Sequence, residues 1–118
     1  MATTILVADD NRPNRDALAS LLEAFGYRVV TAANGWEALM KAREERPELV
    51  ISDVLMPKMD GYELARAFRA HPDLKAVKLV ALTGWGQPED RRRTREHGFD
   101  DHLVKPVDVD VLRRLLAS

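Results

Sequence analysis

The 118-residue sequence predicts a doubly wound α/β domain built around a five-stranded parallel sheet. Short apolar or β-branched runs alternate five times with longer amphipathic segments, which is the pattern of repeated strand–helix units. Several of the short runs are apolar at consecutive positions, as in strands that are buried on both faces. Right-handed crossover connections between parallel strands then place helices on both faces of the sheet.

The first strand is expected at Thr4–Ala8, because this run is apolar and ends at a polar loop. Pro13 suits the first turn of the helix that follows, and Gly26 provides its C-terminal stop. The residues that recur at helical spacing, and that we expect to face inward, are Ala17, Leu18, Leu21, Leu22 and Phe25. The next strand, Arg28–Ala32, is predicted from its β-branched residues.

Two of the later helices begin with a capping-box pattern. Asn34 stands three positions before Glu37, and Asp60 stands three positions before Glu63. The first of these helices is expected to end before Pro47, because the residue that precedes a proline disfavours helical geometry. The residues expected to face inward are Leu39 and Ala42 in the first helix and Leu64, Ala67 and Phe68 in the second.

The remaining runs complete the alternation of strands and helices. Further strands are expected at Leu49–Asp53, Val77–Leu82 and His102–Val104. An arginine-rich helix extends from Pro88 to Gly98, and Asp108 caps the last helix. The apolar face of that last helix consists of Val111, Leu112, Leu115 and Leu116. Because no linker or repeat interrupts the pattern, we expect one domain over residues 1–118.

Composition and charge exclude several classes of protein. The formal net charge is −1, which gives no electrostatic reason to expect direct binding to nucleic acid or to anionic membranes. The absence of cysteine excludes disulfides, thiolate catalysis and thiolate metal sites. No apolar run approaches the ~20 residues of a membrane-spanning helix. With only six residues between Ala2 and Asp9 there is no room for a secretory hydrophobic region, so we expect a cytoplasmic protein without membrane insertion.

Polar residues follow four of the five predicted strands. Asp9 and Asp10 come after the first strand, Asp53 ends the third, and Thr83 and Lys105 follow the fourth and fifth. In the flavodoxin-like strand order 2-1-3-4-5, the first and third strands are neighbours and ligands bind in the crevice at their carboxyl ends. Each of these residues alone would suit a turn or a helix cap. Together they are expected to form one site at this edge of the sheet.

The chemistry of this set favours phosphoryl transfer. Three carboxylates held together repel one another unless a cation is present, and oxygen ligands with open coordination positions suit Mg²⁺. Three carboxylates, one divalent ion and the Lys105 ammonium sum to zero charge, which allows a phosphoryl group to approach. Lys105 supplies a mobile positive charge and Thr83 a neutral hydroxyl. The residues therefore indicate metal-assisted phosphoryl transfer onto Asp53 as the nucleophile.

The sequence resembles the receiver domains of two-component response regulators over essentially its whole length, from Ile5 to about Leu116. The motifs that carry the resemblance are Asp9-Asp10, the Asp53 segment with Met56-Pro57 and Asp60-Gly61, Thr83-Gly84, and Lys105-Pro106. It implies a phosphoacceptor signalling switch rather than a turnover enzyme. Its partner would be a sensor histidine kinase or a histidine phosphotransfer protein.

The resemblance also implies a role for each site residue. Asp53 receives the phosphoryl group, and Mg²⁺, or Mn²⁺ in its place, is held by Asp10, Asp53 and the backbone carbonyl of Leu55. Asp9 acts on the metal through water. Lys105 contacts the phosphoryl oxygens, and the peptide bond that follows it is typically cis.

A conformational switch is implied at two positions. Thr83 moves toward the phosphoryl group and frees space for an aromatic residue on the fifth strand, which in this family is most often Tyr or Phe. This chain has His102 there. Our hypothesis is that His102 carries the readout, because imidazole can still change rotamer and can gain charge near neutral pH. The alternative is a solvent-facing strand histidine without a signalling role.

Further positions concern phosphoryl access and partner binding. Leu55 and Trp85 flank the phosphoryl group in the family, and both are apolar here, which predicts slow self-dephosphorylation. Trp85 could instead be a partly exposed loop residue. On the first helix, Asn14, Arg15 and Leu18 are expected to face the kinase or phosphotransfer partner.

Other interpretations remain open from the sequence. Arg91–Arg93 and Arg95 are flanked by acidic residues, so we interpret them as a solvated face, with a phosphorylation-dependent dimer or partner surface as the second choice. A haloacid-dehalogenase-like Mg²⁺-dependent phosphohydrolase would need an acid at Leu55. A flavin or nucleotide binder would need a phosphate-cradling loop where Asp9 and Asp10 stand. The segment around residues 84–107 is similar to receivers at the carboxyl end of hybrid sensor kinases, although a stand-alone receiver fits as well.

Overall fold

The computed structural model describes residues 3–56, 58–84 and 88–117, with the backbone alone for 88–91. The strands are β1 Thr4–Ala8, β2 Arg28–Ala32, β3 Leu49–Asp53, β4 Lys78–Thr83 and β5 Asp101–Val104. The helices are α1 Arg12–Ala24, α2 Gly35–Glu45, α3 Gly61–Ala70, α4 Pro88–Glu96 and α5 Val109–Ala117. The predicted alternation of five strands with five helices is confirmed, with boundaries shifted by a residue or two.

The five strands form one parallel sheet in the order β2-β1-β3-β4-β5, as predicted. Ala8 of β1 pairs with Ser52 of β3, so the residues that follow them, Asp9 and Asp53, lie side by side at the carboxyl ends of the two strands. Thr83 pairs with Val104, which brings the ends of β4 and β5 to the same edge. We call this the carboxyl edge of the sheet.

Alternate residues of each strand supply two apolar layers, because strand side chains point in turn to opposite faces. Leu6 and Val50 belong to the layer that packs against α2 and α3, which also includes Phe68. Ile5 and Ile51 belong to the layer against α1 and α5. Both faces of the sheet are therefore covered by helices, as expected of a doubly wound fold.

Three residues expected to face inward lie elsewhere. Ala17 on α1 is exposed, and Val111 on α5 is 41% exposed. On α3 the buried alanine is Ala65, not Ala67, because the buried stripe Gly61, Leu64, Ala65 and Phe68 follows the three- and four-residue spacing of one helical face. The other inward predictions lie in, or pack against, the two apolar layers: Leu18, Leu21, Leu22, Phe25, Leu39, Ala42, Leu64, Phe68, Leu112, Leu115 and Leu116.

Helix α3 begins at a complete capping box close to the end of β3. The Oδ1 of Asp60 accepts a hydrogen bond from the Glu63 backbone N–H at 2.9 Å, and the Glu63 carboxylate accepts one from the Asp60 N–H at 3.4 Å. Gly61 lets this helix start against the strand, since a Cβ at that position would lie 2.6 Å from the Asp53 carbonyl oxygen. The position of Asp53 thus depends on a close backbone contact with α3.

At the opposite, amino edge of the sheet, Arg69 ties three segments together. Its guanidinium donates to the carbonyl of Gly98 at 2.7 and 2.9 Å and to the carbonyls of Lys75 and Val77 at 2.7 Å each. It also pairs with the Asp100 carboxylate at 2.8 Å. The end of α3, the turn before β4 and the turn before β5 are therefore held by one side chain, which we call the Arg69 clamp.

Within the described part of the chain, no helix combines the length and the apolar character needed to cross a bilayer.

Candidate functional site

The carboxyl edge brings the three predicted carboxylates together. One oxygen from each of Asp9, Asp10 and Asp53 lies within 4.8 Å of the other two. Asp9 is 1% and Asp53 7% exposed, whereas Asp10 faces solvent. Oxygen donors clustered at this spacing, with one side open to water, fit a hard divalent cation such as Mg²⁺.

Lys105 reaches this cluster from the end of β5. Its Nζ lies 2.6 Å from Oδ2 of Asp53 and 3.5 Å from Oδ2 of Asp9. The Lys105 backbone N–H donates to the carbonyl of Thr83 at 2.8 Å, which fixes the start of this loop against β4. The peptide bond to Pro106 is cis, as the resemblance implied.

The electrostatics of Asp9 and Lys105 reflect this crowding. Burial raises the pKa of Asp9, a hydrogen bond from the Asn11 N–H lowers it, and the charge of Asp53 raises it further, so that it lies above its ordinary value. Burial lowers the pKa of Lys105, but its hydrogen bond to Asp53 and the charges of Asp53 and Asp9 outweigh this, and the pKa is raised overall. The ammonium is therefore firmly charged, whereas the ionised form of Asp9 is disfavoured in the folded protein. A second cation near Asp9 would stabilise this ionised form.

The second carboxylate oxygen of Asp53 is also held. Its Oδ1 accepts a hydrogen bond from the backbone N–H of Leu55 at 3.1 Å. The Leu55 side chain is 63% exposed, so it lies at the mouth of the site. Thr83 is 5% exposed at the end of β4 and lines the same cavity as Asp53. Asp53 is thus held from both sides, by the ammonium and by a backbone amide.

The residues predicted to meet a partner have different surroundings. Asn14 is exposed, and its backbone N–H donates to the Asn11 side chain at the start of α1. Arg15 is half-buried and donates from Nη1 to the Asp9 carbonyl at 3.0 Å. Leu18 is only 6% exposed and packs in the α1/α5 layer, and it also lines a groove of about 420 Å³ together with Asn14. Its place on a partner surface stays a prediction.

Of the two remaining predicted positions, His102 and Trp85, the structure describes His102. His102 is half-buried on β5, paired in register with Ala81, and it lines a cavity of about 130 Å³ beside Thr94 and Phe99. A fully solvent-facing histidine is therefore not what the structure contains. Trp85 lies outside the described residues.

Two residues at the site were not anticipated from the sequence. Arg93 of α4 and Tyr62 of α3 line the cavity of about 340 Å³ that also contains Asp53, Thr83 and Lys105. Arg93 is exposed, in agreement with a solvated face, and it also lines this cavity. The strand order could have indicated their position. Helix α4 follows β4 and packs on the same side of the sheet as α3, so its residues lie near the carboxyl end of β3.

Comparison with known proteins gives consistent matches. The family model described as "Response regulator receiver domain" matches residues 5–117. A probable transcriptional regulator, ycf27, of Pyropia yezoensis is 45% identical over 114 residues, which cover 97% of this chain but 46% of that protein. The chain thus spans about half of that regulator's length.

Two solved structures share the whole fold. The chemotaxis response regulator CheY4 of Vibrio cholerae is 35% identical with a TM-score of 0.92, covering 99% of this chain and 98% of that one. The receiver domain of the sensor histidine kinase PA1611 of Pseudomonas aeruginosa PAO1 is 32% identical with a TM-score of 0.89. The match covers 98% of this chain and 95% of that one, which has a magnesium ion coordinated in its active-site cleft.

Proposed function

Because the chain belongs to the response regulator receiver domain family, whose members are phosphoacceptor modules of two-component signalling, we propose that Asp53 accepts the phosphoryl group. The single observation that supports this choice most directly is the way the Asp53 carboxylate is held. Lys105 lies 2.6 Å from one of its oxygens and the Leu55 N–H lies 3.1 Å from the other, beside Asp9 and Asp10. Among the clustered carboxylates, Asp53 alone has both of these contacts in the described part of the chain.

In the proposed reaction an Asp53 oxygen attacks the phosphorus of a phosphohistidine donor. The new P–O bond forms as the P–N bond breaks, and the imidazole leaves with the electron pair. Lys105 keeps one carboxylate oxygen in place and then neutralises charge on the transferred group. The Thr83 hydroxyl can donate a hydrogen bond to a phosphoryl oxygen.

The proposed metal ligands are Asp10, Asp53 and the backbone carbonyl of Leu55, with Asp9 acting through water. The all-oxygen donor set suits Mg²⁺, with Mn²⁺ as a substitute. When bound, the ion would neutralise negative charge as the phosphoryl group approaches. Burial raises the pKa of Asp9, so a cation nearby would stabilise its ionised carboxylate even without direct contact.

The proposed partner is a sensor histidine kinase or a histidine phosphotransfer protein. A groove of about 420 Å³ beside the site is lined by Asn14, Leu21, Lys105, Pro106 and Val107. It joins α1 to the loop after β5 and opens next to Asp9, so a partner helix that docks here would bring its phosphohistidine toward Asp53. Asn14, Arg15 and Leu18 are all kept in this proposed surface, since Asn14 and Leu18 line the groove and Arg15 lies beside Asn14 on α1. Dimer formation on phosphorylation through the α4–β5–α5 face is a further proposal.

For signal output we propose that Thr83 and His102 move together. His102 on β5 pairs in register with Ala81 of β4, so a shift at the end of β4 can change the surroundings of the His102 ring. A structure with beryllofluoride bound that shows an unchanged His102 rotamer would contradict this role.

Leu55 and Trp85 are proposed to slow self-dephosphorylation by limiting the access of water. The exposed position of Leu55 at the mouth of the site agrees with this proposal. Replacement of Trp85 by Ala should shorten the lifetime of the acyl phosphate, and an unchanged lifetime would remove Trp85 from the explanation.

The decisive experiment is incubation with phosphoramidate and Mg²⁺ followed by intact mass measurement. Wild type should gain one phosphoryl group, and Asp53→Asn should gain none. Asp60→Asn is the matched control, because Asp60 lines the same cavity and asparagine still caps a helix. An adduct that persists in Asp53→Asn would overturn the assignment. No observation favours the phosphohydrolase alternative, since Leu55 stands where its acid is required.

A further inference from the structure

We propose that Arg93 of α4 is a phosphoryl-binding residue, whose guanidinium leaves the ring of Tyr62 to pair with the phosphoryl group on Asp53. This inference rests on the proposed function of Asp53. It assigns to α4 a direct contact with the modified residue, in addition to the contacts made by Lys105 and Thr83.

The position of Arg93 is the first argument. It lines the same cavity as Asp53, Thr83 and Lys105. Its guanidinium carbon lies 5.0 Å from the centroid of the Tyr62 ring, and Tyr62 lines this cavity too. A long arginine side chain that starts at the cavity wall needs only a change of rotamer to reach its interior.

The charge balance is the second argument. Phosphorylation replaces the single charge of Asp53 by a group that carries nearly two negative charges and three acceptor oxygens. The Lys105 ammonium is already shared between Asp53 and Asp9, at 2.6 and 3.5 Å. A guanidinium presents paired donors that match phosphoryl oxygens, so Arg93 is suited to donate to the phosphoryl oxygens that Lys105 does not contact.

The way Arg93 is held is the third argument. Among the described side chains, Arg93 forms no ion pair, and its guanidinium lies over the face of the Tyr62 ring. A cation–π contact at an exposed site is weaker than a charge-assisted hydrogen bond to a dianion. His97, one turn further along α4, stacks on the same ring with centroids 4.4 Å apart. Tyr62 thus holds Arg93 near the site and keeps α4 packed against α3. A phosphoryl group on Asp53 would bind the guanidinium more strongly than the Tyr62 ring does.

The experiment uses beryllofluoride, a mimic of the phosphoryl group, with Mg²⁺ and the whole 118-residue chain. Affinity is measured by calorimetry for wild type, Arg93→Gln, Arg93→Lys and Arg92→Gln. Arg93→Gln should weaken binding about tenfold, as expected for one charge-assisted hydrogen bond, and Arg93→Lys should recover part of this loss. Arg92 is the matched control, because it is the exposed neighbour on the same helix and its replacement changes net charge equally.

A purely structural role for Arg93 predicts another pattern. Loss of its contact with Tyr62 would then lower the urea midpoint of Arg93→Gln and leave beryllofluoride affinity at the wild-type level, which would overturn the inference. Equal weakening in Arg92→Gln would also overturn it, since only net charge would matter. The ¹H–¹⁵N signal of the Arg93 Nε gives a separate readout, which should lose its ring-current shift when beryllofluoride binds. If Asp53→Asn still binds beryllofluoride as wild type does, the proposed function of Asp53 fails instead.

Discussion

Lys105 places its Nζ 2.6 Å from Oδ2 of Asp53 but 3.5 Å from Oδ2 of Asp9, so one ammonium serves two carboxylates unequally. Asp53 receives a short charge-assisted hydrogen bond, while Asp9 receives only attraction at longer range. The more deeply buried carboxylate is therefore the less well neutralised one. This asymmetry determines how the site responds to substitution, pH and metal.

Replacement of Lys105 by Gln should destabilise the metal-free domain and strengthen its response to Mg²⁺. Without the ammonium, Asp9 and Asp53 repel each other with no internal cation, and the expected loss is about 1–3 kcal/mol in the free energy of unfolding. Added Mg²⁺ should restore more stability to Lys105→Gln than to wild type. Urea titration with and without Mg²⁺ measures both effects. Equal Mg²⁺ responses in the two proteins would contradict this account.

Replacement of Asp9 by Asn should stabilise the metal-free domain at neutral pH. The pKa of Asp9 is raised in the folded state, so this carboxyl favours folding while it is protonated, and that contribution is lost as pH rises above its ordinary value near 3.8 and through the folded pKa. The amide side chain of the variant would remain neutral throughout. The advantage of Asp9→Asn over wild type should therefore grow with pH in this window and vanish below it.

Urea unfolding at a series of pH values, in the presence of a chelator, tests this prediction. Asp10→Asn is the matched control, because the neighbouring Asp10 is exposed and the same substitution there removes the same charge. A constant stability difference between Asp9→Asn and wild type across pH would show that ionisation of Asp9 is not the cause.

Replacement of Arg69 by Met should lower the free energy of unfolding by about 1–3 kcal/mol, because three carbonyls and the Asp100 carboxylate, partly buried or exposed, lose one shared donor. Arg69→Lys should recover little, since an ammonium cannot reproduce the planar fork. Arg66→Met, at an exposed position on the same helix, should change stability by no more than about 0.5 kcal/mol. Denaturant titration of the three variants and of wild type measures these changes in the free energy of unfolding.

Replacement of Gly61 by Ala should displace the start of α3 and reduce phosphorylation of Asp53. The new Cβ would lie 2.6 Å from the Asp53 carbonyl oxygen, so backbone must move, at an expected cost of about 1–3 kcal/mol. Gly84→Ala provides the comparison, because a Cβ there would meet no atom within 4 Å. Intact mass after phosphoramidate treatment, together with thermal melts, should separate the two variants. Equal adduct formation in both would show that this contact does not position Asp53.

The sheet order and the composition of the site could be predicted because both depend on local signals. Each strand is an apolar run with a polar residue at or just after its carboxyl end. Because parallel strands all present their carboxyl ends at one edge of the sheet, Asp9, Asp53 and Lys105 come together there. The capping box at Asp60 could be recognised for the same reason, since both partners lie within four residues.

Other features depend on contacts between distant segments, and no local pattern contains them. Arg69 binds the Gly98 carbonyl 29 positions away, and the direction of a carbonyl leaves no trace in the sequence. Ala65 and Ala67 are equally apolar, so only packing against the sheet decides which one is buried. Arg93 resembled its solvated neighbours because its distinguishing partner, Tyr62, comes from another helix.

The Arg69 clamp has a consequence for where the chain can be interrupted. Residues 71–77 form a mostly exposed turn, which by accessibility alone would invite an inserted peptide or a fluorescent label. Yet the carbonyls of Lys75 and Val77 in this turn accept hydrogen bonds from Arg69, so an insertion there would remove two of the contacts that orient the Arg69 guanidinium toward the turn before β5. At the tight bend after α1, in contrast, the Gly26 N–H donates to the nearby Glu23 carbonyl at 2.9 Å, so Gly26 is the safer site for tagging or for a circularly permuted sensor.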